Sequence, residues 1–334
     1  MTSATTTSPG APAAAPGGLR SRYRQQLQQI LAFGGLVVIF AFFSIASPYF
    51  LDWANVKGIL LATAVTGIMA LGATFVIVTG GIDLSVGTGM TLCSVMTGVF
   101  LTNLGLPLVV GVLGGLATGA LLGLVNGLNV SFLRIPPFIA TLAMMMVAQG
   151  LSLIISGTKP IYFSDVAGFS QIALGELVPG LPNAVLIFFV AALVAGVLLS
   201  KSLLGRYALS IGSNEEATAI SGIPVRRWKV AVYTLAGLFT GLAGVVMASR
   251  LNSAQPGLGL GYELEAIAAV VIGGTSLRGG RGTILGTVIG ALIMSTLTNG
   301  LRIMSIPQEW QKVAVGVVIL LAVYTDILRR GKDA

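Results

Sequence analysis

The chain has 334 residues, of which 55% are hydrophobic and 9% charged, with 45 Gly, one Cys and no His. Soluble domains carry about 25% charged residues, so this composition excludes an ordinary solvated surface and places the chain in a bilayer. It also excludes a structural zinc site, a thiol-based catalytic pair and a disulfide framework, and the net charge of +8 fits loop bias better than nucleic-acid binding.

A spanning helix needs about 20 apolar residues, so the stretches between successive charges set the expected elements. Residues 1–18 are rich in Ser, Thr, Ala, Pro and Gly, and residues 1–28 are read as a disordered N-terminal tail. Residues 25–51 and 58–82 each suit one span. Residues 84–133 are uncharged over too great a length for one helix, and Asn103, Gly105 and Pro107 mark the turn that divides them. Residues 135–158, 177–200, 230–249 and 282–301 each suit one further span. The stretch 266–277 stays short even when extended back to Glu263, since about fifteen residues rise only roughly 22 Å. It is expected to be a broken or partial crossing. Residues 313–325, extended to Trp310 and Leu328, close the series. The expected fold class is an all-α polytopic membrane protein of about ten hydrophobic segments, including broken or partial helices. It occupies residues 29–328, with 329–334 as a C-terminal tail.

Loop charges set the orientation. With the N-terminus inside, the inner side collects Arg20, Arg22, Arg24, Arg134, Lys201, Arg206, Arg226, Arg227, Lys229, Arg278, Arg281, Arg329, Arg330 and Lys332. The outer side has only Lys57, Lys159, Arg250, Arg302 and Lys312. Positive-inside bias therefore places both termini in the cytoplasm.

Two glycine-rich interruptions resemble one another. Val76-Ile77-Val78-Thr79-Gly80-Gly81 pairs with Ala269-Val270-Val271-Ile272-Gly273-Gly274, and Asn126-Gly127-Leu128 before Ile135-Pro136 pairs with Asn299-Gly300-Leu301 before Ile306-Pro307. The two matches lie on different registers, which leaves duplication open. Interrupted apolar segments are where transporters place non-helical backbone along a cavity. Asp83 is either a pathway residue or the cap of the helix that starts near Leu84. Glu263 and Glu265 open a short helix, where the macrodipole alone favours carboxylates. Asn126, Asn129, Gln149 and Asn299 lie in or beside apolar spans, suited to interhelical hydrogen bonds or to a polar solute's path. No buried Lys and no ladder of carboxylates suggests an ion-coupled carrier. The only Gly-Lys pair, Gly331-Lys332, is followed by Asp333, so no phosphate-binding loop is present.

The longest inner loop, about 201–229, contains Ser213 or Asn214 as cap, Glu215 and Glu216 in a first turn, and Ser221-Gly222 with Pro224 as stop. A short helix at the membrane face follows, either a docking element or a plain connector.

At this loop a resemblance becomes specific. Gly205-Arg206-Tyr207-Ala208, Gly212-Ser213-Asn214-Glu215-Glu216-Ala217 and Ser221-Gly222-Ile223 resemble the coupling loop of ABC importer permeases, with Thr218 in place of the motif's second Ala. Gly81-Ile82-Asp83-Leu84-Ser85-Val86-Gly87, Asn126-Gly127, Pro137-Phe138-Ile139-Ala140-Thr141-Leu142, Gly241-Leu242-Ala243-Gly244 and the run from Glu263 to Gly274 are similar to the ribose, xylose and galactose branch, in the family's order over about residues 50–325. The resemblance implies a type II-like permease subunit that forms, with a second and identical subunit, the path for a monosaccharide. It implies an ATP-binding cassette ATPase, which carries ATP and Mg on its own chain, gripping Arg206, Asn214, Glu215, Glu216, Ala217 and Gly222. An extracytoplasmic sugar-binding protein would dock outside, and the lipid of a bacterial plasma (inner) membrane would surround the whole. The chain itself would be no enzyme and would hold no cofactor or metal. Asp83, Asn126, Asn129 and Glu263 would shape the pathway or its gates. Related permeases also carry branched-chain amino acids or a furanosyl signalling molecule, and the paucity of charge in the spans favours sugar.

Overall fold

The computed structural model describes residues 18–331, with side chains described over 29–324. Each apolar stretch folds as helix. The chain runs through α1 (Gly18–Ala46), α2 (Trp53–Val78), α3 (Val86–Gly98), α4 (Leu108–Ser131), α5 (Pro137–Ser156), β1 (Ile161–Tyr162), α6 (Gln171–Leu174) and α7 (Asn183–Lys201). It continues through α8 (Leu203–Ser213), α9 (Glu215–Ile220), α10 (Val225–Leu251), β2 (Ser253–Ala254), α11 (Tyr262–Ile272), α12 (Ile284–Ile303) and α13 (Gln308–Gly331). Among the described residues, 7 helices are long and apolar enough to cross a membrane: α1 from Gln29 onward, α2, α4, α5, α7, α10 and α12. α3 and α11, of 13 and 11 residues, are short, and α3 runs into one π-helical turn, Val99–Asn103.

Proline sets four of the helix starts. Pro107, Pro136, Pro182 and Pro224 stand as N-caps of α4, α5, α7 and α10. A proline there lacks only an N–H that the first turn would leave unbonded, and its ring stops the preceding helix from running on. The tail read over 1–28 lies partly outside the described residues, and α1 already begins at Gly18 within it.

Small residues decide the packing. α2 is the central helix, with 89% of its most apolar window buried. Its Thr63 and Thr74 hydroxyls donate to the carbonyls of Ile59 and Ala70 at 2.8 Å, so they are buried without an unmet bond, and Thr74 Oγ1 also lies 2.7 Å from Thr287 Oγ1 of α12. Along α4, Gly111, Gly115, Gly119, Gly123 and Gly127 recur every fourth residue and so form one face. From Gly119 to Gly127 that face lies directly against α10, where a Cβ on Gly119 would meet the Gly237 carbonyl oxygen, while Gly111 faces Leu101. Close backbone approach of this kind is how helices associate where no hydrophobic force separates protein from lipid.

One end of the bundle carries the β1–β2 ribbon, with Ile161 paired to Ala254 and Tyr162 to Ser253. There Lys57 Nζ donates to Glu176 Oε1 at 2.7 Å, tying the start of α2 to the 157–182 loop, and Gly180 N–H donates to Glu176 Oε2 at 2.8 Å. Both contacts, the lysine first, hold the Glu176 carboxyl below the usual carboxylate range. The opposite end carries α8 and α9. The loop read as one short helix is therefore mostly helical: α8 precedes α9, and α10 begins at Val225, before the loop's expected end.

Candidate functional site

The α9 end is built from two successive caps. Ser202 opens α8, its Oγ accepting from Gly205 N–H at 3.3 Å. Asn214 closes α8 and opens α9, its Oδ1 accepting from Ala217 N–H at 2.9 Å; of the two expected caps it is Asn214 that acts. Glu215 and Glu216 stand in the first turn of α9, and Gly222, with φ +81, takes the left-handed conformation that lets the chain leave the helix. Thr218, the departure from the coupling motif, faces inward: it is buried and its hydroxyl donates to the Asn214 carbonyl at 2.7 Å. Arg206, Asn214, Glu215, Glu216, Ala217 and Gly222 are all exposed, and Ile220 is 81% exposed. Lys229 Nζ donates to Glu215 Oε2 at 2.7 Å, fastening α9 to the first turns of α10, while Tyr207 and Trp228 meet edge to face at 4.8 Å and fasten α8.

Two glycine breaks converge on this end. α2 closes with Gly80 N–H bonded to the Ile77 carbonyl and Gly81 N–H to that of Val76, with Gly80 at φ +80. α11 closes in the same way, with Gly274 N–H bonded to Val271 O, Thr275 N–H to Val270 O, and Gly274 at φ +89. Each is a left-handed glycine cap with its paired bonds. The backbone therefore equates Gly80 with Gly274, one residue off the pairing suggested by the sequence match. The second match also shares a backbone device, since Arg134 and Ser305, both at φ +57, each precede an Ile-Pro pair. Those two turns lie at opposite ends of the bundle, after α4 and after α12, so the recurrences are local and a single duplication is not what the fold shows. The breaks touch: Gly280 N–H donates to the Val78 carbonyl at 2.8 Å. Gly212, in the last turn of α8, fits between these same two groups, with no room for a Cβ.

Beyond the first break, Asp83 and Asn126 come together through Ser85. Asp83 Oδ1 accepts from Ser85 N–H at 2.8 Å and Ser85 Oγ at 2.6 Å, and Asn126 Nδ2 donates to Ser85 Oγ at 2.9 Å. Asp83 thus closes an Asx turn ahead of α3 instead of capping the helix N–H groups. Thr141 of α5 donates to the Ile82 carbonyl at 3.2 Å, so α4 and α5 both hold the break. Asn126 Oδ1 and the Tyr233 hydroxyl are buried with no partner among the described residues, and Tyr233 sits against Gly81. Asn129 is half-buried and takes no part in this group. Glu263 of α11 lies against the first turn of α3, where Gly87 leaves no room for a Cβ beside its carboxylate; the same carboxylate accepts from Gly261 N–H at 3.0 Å. Ser85, Tyr233 and Gly212 were missed as site residues. Gly212 and Ser85 fall inside the quoted motifs, whereas Tyr233 is brought in only by the packing of α10.

Broken helices buried inside a bundle of membrane-length helices define a polytopic membrane protein with the architecture of a permease. The chain belongs to the family of branched-chain amino acid transport system permease components, whose pattern matches residues 55–323. It is 44% identical over 301 residues to the ribose import permease protein of Bacillus subtilis (strain 168), covering 90% of this chain and 93% of the relative. It is 43% identical over 294 residues to the ribose import permease protein of Escherichia coli (strain K12), covering 87% and 91%. To the L-arabinose transport system permease protein of the same strain it is 38% identical over 297 residues, covering 87% and 89%. No solved structure matches the chain.

Proposed function

We propose that the chain is the membrane subunit of an ATP-driven ABC importer that passes a monosaccharide delivered by an extracytoplasmic binding protein. The family's description names branched-chain amino acids, but the relatives that cover most of the chain are named for ribose and L-arabinose, and this carries the choice of sugar. The few charges inside the helices agree, since a zwitterion calls for paired charges in its path.

A separate ATPase, holding ATP and Mg, grips α9 from the cytoplasm. A second copy of the chain completes the path, and both termini face the cytoplasm of a plasma-membrane protein. Motion of α9 passes through α8 to Gly212, and from there to the junction between Val78 and Gly280. That junction is where α2 and α11 break, so a shift of α8 changes the relation of the two breaks without bending a continuous helix. Asp83 and Asn126 then act as the hydrogen-bonded gate behind one break, and Glu263 as its neighbour along α3; Asn129 lines the same path one turn from Asn126. Binding affinity resides in the delivering protein, and the chain supplies hydrogen-bonding groups along the way.

Uptake of labelled ribose, xylose, arabinose and galactose into vesicles tests this reading, with the ATPase and the binding protein each included or omitted. Uptake that needs both partners and internal ATP supports it. Uptake by the chain alone on an ion gradient contradicts it.

A further inference from the structure

Beside the coupling loop lies a cavity of about 420 Å³ that shares Glu215 and Lys229 with the α9 attachment but to which the transport cycle described above assigns no ligand. It opens where α4 ends and where α5 and α10 begin, which is the depth at which helix ends meet lipid headgroups. Its wall carries three cations, Arg134, Arg226 and Lys229, against one carboxylate, Glu215. Glu215 bonds Lys229 at 2.7 Å, which leaves both arginines without a carboxylate partner among the described residues.

Other features of the wall point the same way. The N-caps of α5 and α10 are Pro136 and Pro224, neither of which supplies a capping side chain, so the Phe138 and Ile139 N–H groups keep no partner among the described residues. Uncapped helix starts favour a negative charge. Ser131, also on the wall, is 5% exposed and its hydroxyl has no hydrogen-bond partner among the described residues. Arg134 holds φ +57, a left-handed conformation that an L side chain rarely adopts, in the turn that lines the cavity.

We propose that this cavity binds a phosphate-bearing anion, carried by an anionic phospholipid of the leaflet that surrounds the α9 end. Basic pockets between membrane helices are suited to such headgroups. The bound phosphate competes with Glu215 for Lys229, so occupancy loosens the ion pair that fastens α9 to α10. Membrane composition thereby sets how freely the coupling helix moves. The site stands on the cavity and does not depend on the identity of the cargo.

The test uses the full chain, purified from vesicles of phosphatidylglycerol and phosphatidylcholine and examined by native mass spectrometry for retained lipid. Wild type is expected to retain phosphatidylglycerol over phosphatidylcholine. Arg226→Gln and Arg134→Gly each lower that retention by about five-fold, from about 1 kcal/mol per basic residue at a membrane surface. Arg134→Gly removes the cation while relieving the left-handed backbone, so its loss of lipid is not attributable to misfolding. Glu215→Gln frees Lys229 and raises retention, a gain that a purely structural role for the ion pair does not produce. A parallel arm measures labelled inorganic phosphate: binding that is lost in the same two variants, without lipid selectivity, supports the anion site and assigns its ligand to the soluble ion. Retention indifferent to lipid charge, or unchanged in both arginine variants, overturns the proposal. Absence of both anions together with lost ATPase co-purification in those variants also overturns it, and marks the cavity as a contact for acidic side chains of the ATPase.

Discussion

Gly280 N–H donates to the Val78 carbonyl at 2.8 Å, and this bond joins the end of α2 to the segment that leads from α11 into α12. Two helices broken at left-handed glycines thus share one junction, and α8 closes it with Gly212. The junction therefore ties α8, the helix that leads into α9, to the end of α2 that leads into the buried Asp83 group.

Gly212→Val tests that connection. Its side chain would fall on the Val78 carbonyl and the Gly280 N–H, both backbone groups that cannot turn aside. We expect a stability loss of about 1–3 kcal/mol, typical of overpacking, seen as a lower thermal midpoint. We also expect ATP hydrolysis by the assembled importer to persist while uptake falls. Coupled uptake at the wild-type level would show that the junction carries no motion.

Gly119→Leu tests the packing of α4 on α10. A Cβ alone would meet the Gly237 carbonyl and the Gly241 N–H, so a branched side chain must part the helices. The variant is expected to lose more than the about 1–3 kcal/mol of an ordinary overpacked site, because the obstruction is backbone. Gly150→Leu, where nothing lies within 4 Å of the added Cβ, is expected to express normally. Comparable yields of monodisperse protein for the two variants would argue against the glycine face.

Asn126→Ala leaves the Ser85 hydroxyl without the donor at 2.9 Å, although Ser85 still donates to Asp83. Removing one partner of a buried hydrogen bond costs about 1–3 kcal/mol. Uptake should fall with ATPase co-purification unchanged, since Asn126 is fully buried and its side chain bonds Ser85 rather than any group of α9. A loss of ATPase binding instead would contradict the assignment of Asn126 to the gate.

Glu176 supplies the pH dependence. Its folded-state pKa is depressed, chiefly by the Lys57 bond and next by Gly180 N–H. The stability this carboxylate contributes is therefore full above the ordinary carboxylate range and is lost as pH falls through the lower folded value. Hydrogen exchange in the 175–182 loop should accelerate below about pH 4, the usual carboxylate range. Glu176→Gln should exchange at the faster rate already at neutral pH and show no such step. An unaltered step in the variant would place the titrating group elsewhere.

Much of the helix inventory was legible because charge gaps and proline starts are local properties of the chain. The caps at Asn214 and Gly222 were legible for the same reason. α8 was not, because its amphipathic residues sit in a charged loop and give no apolar run. The register of the glycine breaks came out one residue away, since a Gly-Gly pair offers two places for the left-handed residue and only the hydrogen bonds decide between them. The sequence left Asp83 open between a helix cap and a pathway residue, and only the structure shows Ser85 intervening, so that the carboxylate closes an Asx turn. Tyr233 could not be found from sequence at all, because its approach to Gly81 depends on the packing of α10 over residues far apart in the chain.

The account rests on α9 facing the cytoplasm and meeting an ATPase there. The native Cys93 is buried and is the chain's single cysteine, so an introduced cysteine is the one accessible thiol. Ile220→Cys on α9 and Tyr162→Cys on the β ribbon place that thiol on side chains 81% and 61% exposed, at opposite ends of the bundle. In intact cells, Ile220→Cys should cross-link to the ATPase and resist a membrane-impermeant maleimide, while Tyr162→Cys should react with that reagent and not with the ATPase. Labelling of Ile220→Cys from outside, with no ATPase cross-link, would contradict both the orientation and the coupling role of α9.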